Sequence, residues 1–180
     1  MLLPLAFAAA VVESVPGEWS GVFLADIHGL GAGTVGWGFT LFAGGMLVGR
    51  LVGDRVADRV GATVTWRLAA ACMIVGLLVT VTSPTAPLAI AGFGLLGLGA
   101  SVLFPVIYGM AGSLNVVSSQ AGLALMSVGA RVGFLSGPPL VGALADASDL
   151  RVAIGVLVVA GLAVMATLRV RLEPYRLPNG

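Results

Sequence analysis

Nine arginines, no lysine and eight acids are all the permanent charge in 180 residues, so a charged side chain in an apolar setting is a candidate for chemistry. Three stand inside long apolar runs: Glu13, Glu18 and Arg131. A carboxyl in such a place can carry a proton, and a guanidinium can hold a carboxylate or another anion. Ionisable groups at membrane depth face a bundle interior or a wet cavity and pair there. The sequence therefore predicts that Glu13 or Glu18 faces Arg131 across a central cavity. Trp19 is placed to reach the same cavity, and Tyr108 offers it a hydroxyl. Two alternatives stay open: Arg131 snorkels to the near surface, or Glu18 lies at the membrane interface. No nucleophile–base–acid set, HExxH or Asp-rich metal motif occurs, so neither an enzyme nor a cofactor is expected. The lone Cys72 excludes an internal disulfide.

The elements that must position these groups follow from composition. Hydrophobic residues make up 58% of the chain and charged ones 9%, with a mean hydropathy of +1.08. A soluble domain carries roughly 25% charge. There is no basic tract for nucleic acid. Six apolar stretches stand out, at about 2–24, 33–52, 64–81, 88–110, 121–144 and 152–168. Each is continuously apolar, unlike the alternation of a barrel strand, and lipid leaves only a helix able to satisfy its backbone. Residues 1–172 thus read as an all-α six-helix transmembrane bundle, and 173–180 as a tail. With the N-terminus cytoplasmic, Arg50, Arg55, Arg59, Arg67, Arg169, Arg171 and Arg176 all fall on the cytoplasmic side. Arginine excess of this kind marks the inside face, which puts both termini in the cytoplasm of an inner-membrane protein. Met1–Val12 lacks the basic start of a signal peptide. A chain opening directly into an apolar span is expected to be part of a longer one.

Glycine and proline punctuate the same stretches. Gly45, Gly49 and Gly53 recur every fourth residue in the second, and Gly129, Gly133 and Gly137 do so in the fifth. Residues four apart share a face, so each series is a groove for close helix approach. Pro16-Gly17, Pro105 and Pro138-Pro139 are expected to break or hinge their helices. The connector from Asp54 to Arg67 is the only strongly charged one.

That connector contains Gly53-Asp54-Arg55-Val56-Ala57-Asp58-Arg59-Val60-Gly61, a run that resembles the inter-helix signature of the major facilitator superfamily. It departs from the pattern in two places. Asp54 stands where the family has its leading glycine, and Ala62 and Thr63 replace two basic residues, as is usual in the second half of such carriers. Gly133-Phe134-Leu135-Ser136-Gly137-Pro138-Pro139-Leu140-Val141-Gly142 is similar to the eleventh helix of many bacterial members. Glu13 with Glu18-Trp19-Ser20 is similar to the seventh helix of a sugar-permease-like subgroup. The resemblance implies the C-terminal six-helix half of a secondary carrier, built as a 3+3 inverted repeat. Leu51-Val52-Gly53 before Ala57-Asp58 has an echo in Leu140-Val141-Gly142 before Ala145-Asp146, as such a repeat requires. It further implies alternating access against a second six-helix bundle, a small-molecule solute and a lipid setting. Glu13 would be the proton-coupling carboxylate, and Gly53, Asp54, Arg55, Asp58, Arg59 and Gly61 a cytoplasmic latch. The competing reading is a non-transporting scaffold or regulatory subunit of a partner membrane protein.

Overall fold

Helices account for nearly all of the described residues because an apolar backbone has no other internal way to pair its polar groups. The computed structural model describes residues 2–112 and 119–167. Among them are seven helices: α1 (Leu2–His28), α2 (Trp37–Val60), α3 (Ala62–Thr82), α4 (Ala86–Ala100), α5 (Leu103–Gly112), α6 (Ser119–Ala147) and α7 (Leu150–Thr167). The expected tail at 173–180, with Arg169, Arg171 and Arg176, lies outside the described residues.

Three segments are long and apolar enough to cross a membrane: Val64–Thr82, Ala86–Tyr108 and Gln120–Ala147. Leu150–Ala160 is a shorter apolar helix. Among the described residues, three of the six expected spans therefore have both the length and the apolarity to cross. The first two helices have the length, but Glu13, Glu18 and Asp26 dilute α1, and Arg50, Asp54 and Arg55 dilute α2.

Several expected boundaries move for identifiable reasons. The charged connector is not a loop, because α2 runs through Asp54–Arg59 to Val60 and α3 resumes at Ala62. Gly61 alone makes the joint, at φ +84°, a backbone conformation that disfavours any side chain. The fourth span is two helices, parted at Ser101–Val102. Proline clashes with the carbonyl four residues before it, and Pro105 minus four is Ser101. Pro16, Pro138 and Pro139 stop nothing: α1 and α6 continue through them. Their missing amides leave the carbonyls of Val12, Phe134 and Leu135 without the usual donor.

Two helices form the centre. α1 packs on α6 and α7 and also touches α2, α4 and α5; α4 packs on α2 and α3. The core joins Phe23, Leu24, Met73, Phe93, Ile107, Met126, Ile154 and Val158. Glycines set the closest seams. Added Cβ atoms at Gly129, Gly133 and Gly137 would meet Leu3 O, Phe7 O and Ser14 Oγ, in rising order along both chains, so α1 and α6 are parallel. Gly45 and Gly49 close on Gly94, Leu98 and Ser101, and Gly97 closes on the Phe42 carbonyl, so α2 and α4 are parallel too. Gly76, Gly92 and Gly99 seam α3 against α4 in antiparallel sense. The outer surface is apolar, with Leu47, Leu51, Leu78 and Leu135 exposed.

Candidate functional site

α1 is buried around most of its circumference, and the strip it leaves open is where the chemistry lies. Gly17, Glu18 and Val22 are exposed on that strip, while Val15, Pro16 and Ser20 beside them are buried. Glu18, Trp19 and Val22 form one wall of an open cleft of about 380 Å³, and Pro138, Pro139 and Gly142 of α6 form the other. Gly142 keeps the α6 wall flush with the indole, since a Cβ there would already lie 3.5 Å from Trp19 Cζ2. The Trp19 Nε1 is buried and has no hydrogen-bond partner. A carboxylate and an aromatic face therefore border one open cleft, while the indole N–H stays buried. That set can bind hydroxyl or cationic groups.

Arg131 stands elsewhere. It lies midway between Gly129 and Gly133, two residues or about 200° from each, so it points away from the α1 seam. The seam also puts Glu13 level with Gly137, more than a turn further along α6 than Arg131. The structure does not bring Arg131 to Glu13 or Glu18. It is exposed, one turn from Phe134. Phe134 stacks on Phe104 at 6.0 Å and 14°, and Phe104 meets Tyr108 at 5.9 Å. Tyr108 thus belongs to an aromatic ladder between α5 and α6 rather than to the Glu18 cleft. Pro105, also exposed, follows Phe104 on α5.

Glu13 is half-buried on the other flank of α1, and its Oε2 is buried without a hydrogen bond.

In the charged segment, Asp54, Arg55, Asp58 and Arg59 are exposed on helical backbone, with Gly53 half-buried. Arg55 donates to the Leu51 carbonyl of its own helix at 2.8 Å. No ion pair links these groups among the described residues.

One cation that sequence reasoning passed over holds the opposite end together. Arg151 Nη1 donates to Val81 O at 2.6 Å and Ser83 O at 3.3 Å, across from α7 to the end of α3. Its guanidinium lies 5.9 Å from the Phe23 ring of α1. Its own amide donates to Asp149 Oδ1 at 2.6 Å, an N-cap that fixes where α7 starts. The Asp-Leu-Arg spelling announces that cap; nothing local announces the carbonyls of α3. His28 sits beside Phe23, ring centroids 5.7 Å apart. Burial, and secondarily repulsion from Arg151, hold its imidazole below the usual histidine range.

Among the described residues no cluster of three metal-ligating side chains exists. The chain matches the family model of the Major Facilitator Superfamily over residues 2–180. It is 32% identical over 165 residues to an uncharacterised MFS-type transporter of Yersinia pestis, covering 92% of this chain and 43% of that protein. It is 33% identical over 160 residues to the membrane protein MosC of Rhizobium meliloti, covering 89% of this chain and 39% of that one. A transporter of Sinorhizobium fredii, also uncharacterised, is 29% identical over 147 residues, 82% of this chain and 39% of its own length. The chain spans about two fifths of the length of these curated relatives. It belongs to the major facilitator superfamily, and so to a class of multi-pass membrane transport proteins rather than enzymes.

Proposed function

We propose that the chain is one six-helix half of a secondary carrier, the C-terminal half, and moves a small solute by alternating access against a second six-helix bundle. Residues 1–172 form this bundle as a 3+3 inverted repeat in which α1, α2 and α3 correspond to α4–α5, α6 and α7. The helix pairing supports this. Exchanging the two triplets turns the α1–α6 contact into α4–α2, and both are parallel and seamed by glycines. The same exchange turns α1–α7 into α4–α3 and maps α1–α4 and α3–α7 onto themselves, and each of these contacts is present. On this reading α1, α2, α4–α5 and α6 line the path, and α3 and α7 face lipid. The carrier lies in the inner membrane with both termini cytoplasmic.

The observation that carries the transport reading is the open strip of α1. A helix otherwise sunk in its own bundle exposes Glu18 and Trp19 to a cleft walled by Pro138 and Pro139. Arg131 and Tyr108 mark a second stretch of the same path. Glu13 couples transport to protons. Gly53, Asp54, Arg55, Asp58, Arg59 and Gly61 act as a latch, free to pair with the second bundle because their charges are exposed.

The test is uptake by vesicles holding this chain joined to the N-terminal half of the Yersinia pestis relative. Labelled sugars, polyols and organic anions are the probes, with a trapped pH dye for proton movement. Saturable uptake of one class, lost in Glu18→Gln and absent with the chain alone, is the expected result. Robust uptake by a proven monomer of the chain alone would overturn the two-bundle reading. An inert joined protein that still tolerates Glu18→Gln would favour a scaffold.

A further inference from the structure

The cleft between α1 and α6, of about 380 Å³, has the size of a small-molecule site, and its walls are chemically one-sided. They offer electron-rich groups and almost no donors. Glu18 supplies a carboxylate, and Trp19 an indole ring whose π face is negative. Pro138 and Pro139 have no amide hydrogen, and they leave the carbonyls of Phe134 and Leu135, which point along α6 toward them, without their usual donors. Val22 and Gly142 bring no polar side-chain atom. The side-chain donor of the lining, Trp19 Nε1, is buried.

Such walls separate three classes of solute. An anion would meet a carboxylate and find no donor to hold it. A sugar or polyol would bring a ring of hydroxyls of which only those at Glu18 could pair, and each hydroxyl buried unpaired weakens binding. A cation with an apolar body meets what the walls present, its charge at Glu18 and over Trp19 and its body against Val22, Pro138 and Pro139. The surroundings agree. Asp26 stands one turn beyond Val22 on α1, and Asp146 one turn beyond Gly142 on α6. Both are exposed, so each wall ends in an acid at the mouth facing away from Gly61. The arginine of that end, Arg151, is hydrogen-bonded to the end of α3 and lies by Phe23, about 140° round α1 from Glu18. Arg131 is seven residues before Pro138, about 10 Å further toward the Gly61 end along α6.

We propose that the cleft is a site for a monovalent organic cation: an ammonium group held by the Glu18 carboxylate and the Trp19 ring, its apolar body lying on Pro138 and Pro139. Asp26 and Asp146 stand outside the site and raise the local concentration of cations at its mouth. The proposal rests on the transport reading and names the class of solute that path carries.

The test uses the full chain in nanodiscs of zwitterionic lipid, with labelled benzyltrimethylammonium as the probe in equilibrium dialysis against empty discs. Glucose and benzenesulfonate are the neutral and anionic comparisons. Saturable binding of benzyltrimethylammonium is expected, and neither comparison should bind or displace it. Glu18→Gln should weaken the binding about tenfold. Trp19→Leu should weaken it about five- to tenfold, with Trp19→Phe between. Asp26→Asn combined with Asp146→Asn should cost about twofold at low salt and nothing at about 1 M salt. Arg67→Gln, near Gly61, should change the affinity by less than about twofold. The proposal is wrong if glucose or benzenesulfonate binds as tightly as the ammonium, if Glu18→Gln leaves the affinity unchanged, or if none of the three binds. Should Trp19→Leu fail to fold, Glu18→Gln and Trp19→Phe decide. Uptake by the joined protein judges the transport reading separately: a joined protein that takes up nothing, labelled ammonium included, sinks that reading and leaves the cation site standing.

Discussion

Replacing Arg151 with glutamine tests how the end of the bundle opposite Gly61 is held. The guanidinium makes one short and one longer hydrogen bond to carbonyls at the end of α3. Val81 lies in the last turn of that helix, whose carbonyls have no amide donor within it. A bond from a charged donor contributes about 1.5–3 kcal/mol when well made. The contact with Phe23 adds about 0.5–1 kcal/mol at a partly exposed site. Counting the 3.3 Å bond at a fraction, and discounting for partial exposure, the loss comes to about 2–3 kcal/mol. At about 2–4 °C per kcal/mol for a chain of this size, the melting temperature should fall by roughly 5–10 °C. Far-UV circular dichroism of the purified chain in nanodiscs measures it, with Arg151→Lys expected between the two because lysine keeps the charge but not the fork. A melting point for Arg151→Gln within about 1 °C of the parent chain would refute the assignment of Arg151 as a tether.

Gly97→Ala places a methyl on the Phe42 backbone oxygen, which cannot swing away, and should destabilise the chain by about 1–3 kcal/mol in the same melting assay. Gly44→Ala meets nothing within 4 Å and should be neutral or stabilising by up to about 1 kcal/mol. Pro105→Ala removes the clash with Ser101, so α4 and α5 should fuse; hydrogen exchange should then slow across Ser101–Val106. His28 binds protons less readily folded than unfolded, so its neutral form is the one the fold prefers. Stability should therefore be unaffected by His28 well above pH 6.5 and decline as pH falls below it, and His28→Gln should flatten that decline in melting curves recorded between pH 5 and 8.

The all-helical membrane architecture was legible because unbroken apolar runs in lipid leave one solution, and the family was legible from the order of the Asp-Arg, Gly-Pro-Pro and Glu-Trp runs. Boundaries were less so. Asp54–Arg59 reads as a loop when charge alone is weighed, yet arginine and alanine form helix readily and only Gly61 has to leave it. The division of the fourth span was misplaced because a proline acts on the residue four before it, at Ser101, rather than where it stands. Conversely, Pro16 and Pro138-Pro139 look like breaks but are accommodated, since dense packing of α1 on α6 holds the helix on both sides. Site residues were found by type but not grouped by type. Depth along a span placed Arg131 near Glu13, whereas rotation about the helix axis separates them. Arg151 is given its partners at the end of α3 only by tertiary packing.

The one-residue joint at Gly61 has a mechanical corollary. Two rods of 24 and 21 residues meet there with no intervening coil, so there is no slack to absorb a movement of either. A 24-residue rod is about 36 Å long, and a tilt of about 10° about the joint sweeps its far tip through about 6 Å. α3 is bound along α4 by the Gly76, Gly92 and Gly99 contacts and cannot swing with it freely. α2 is bound along the same helix by the Gly45, Gly49 and Gly97 contacts, so α2, α3 and α4 rock as one unit, with Gly61 a clamped corner rather than a free hinge.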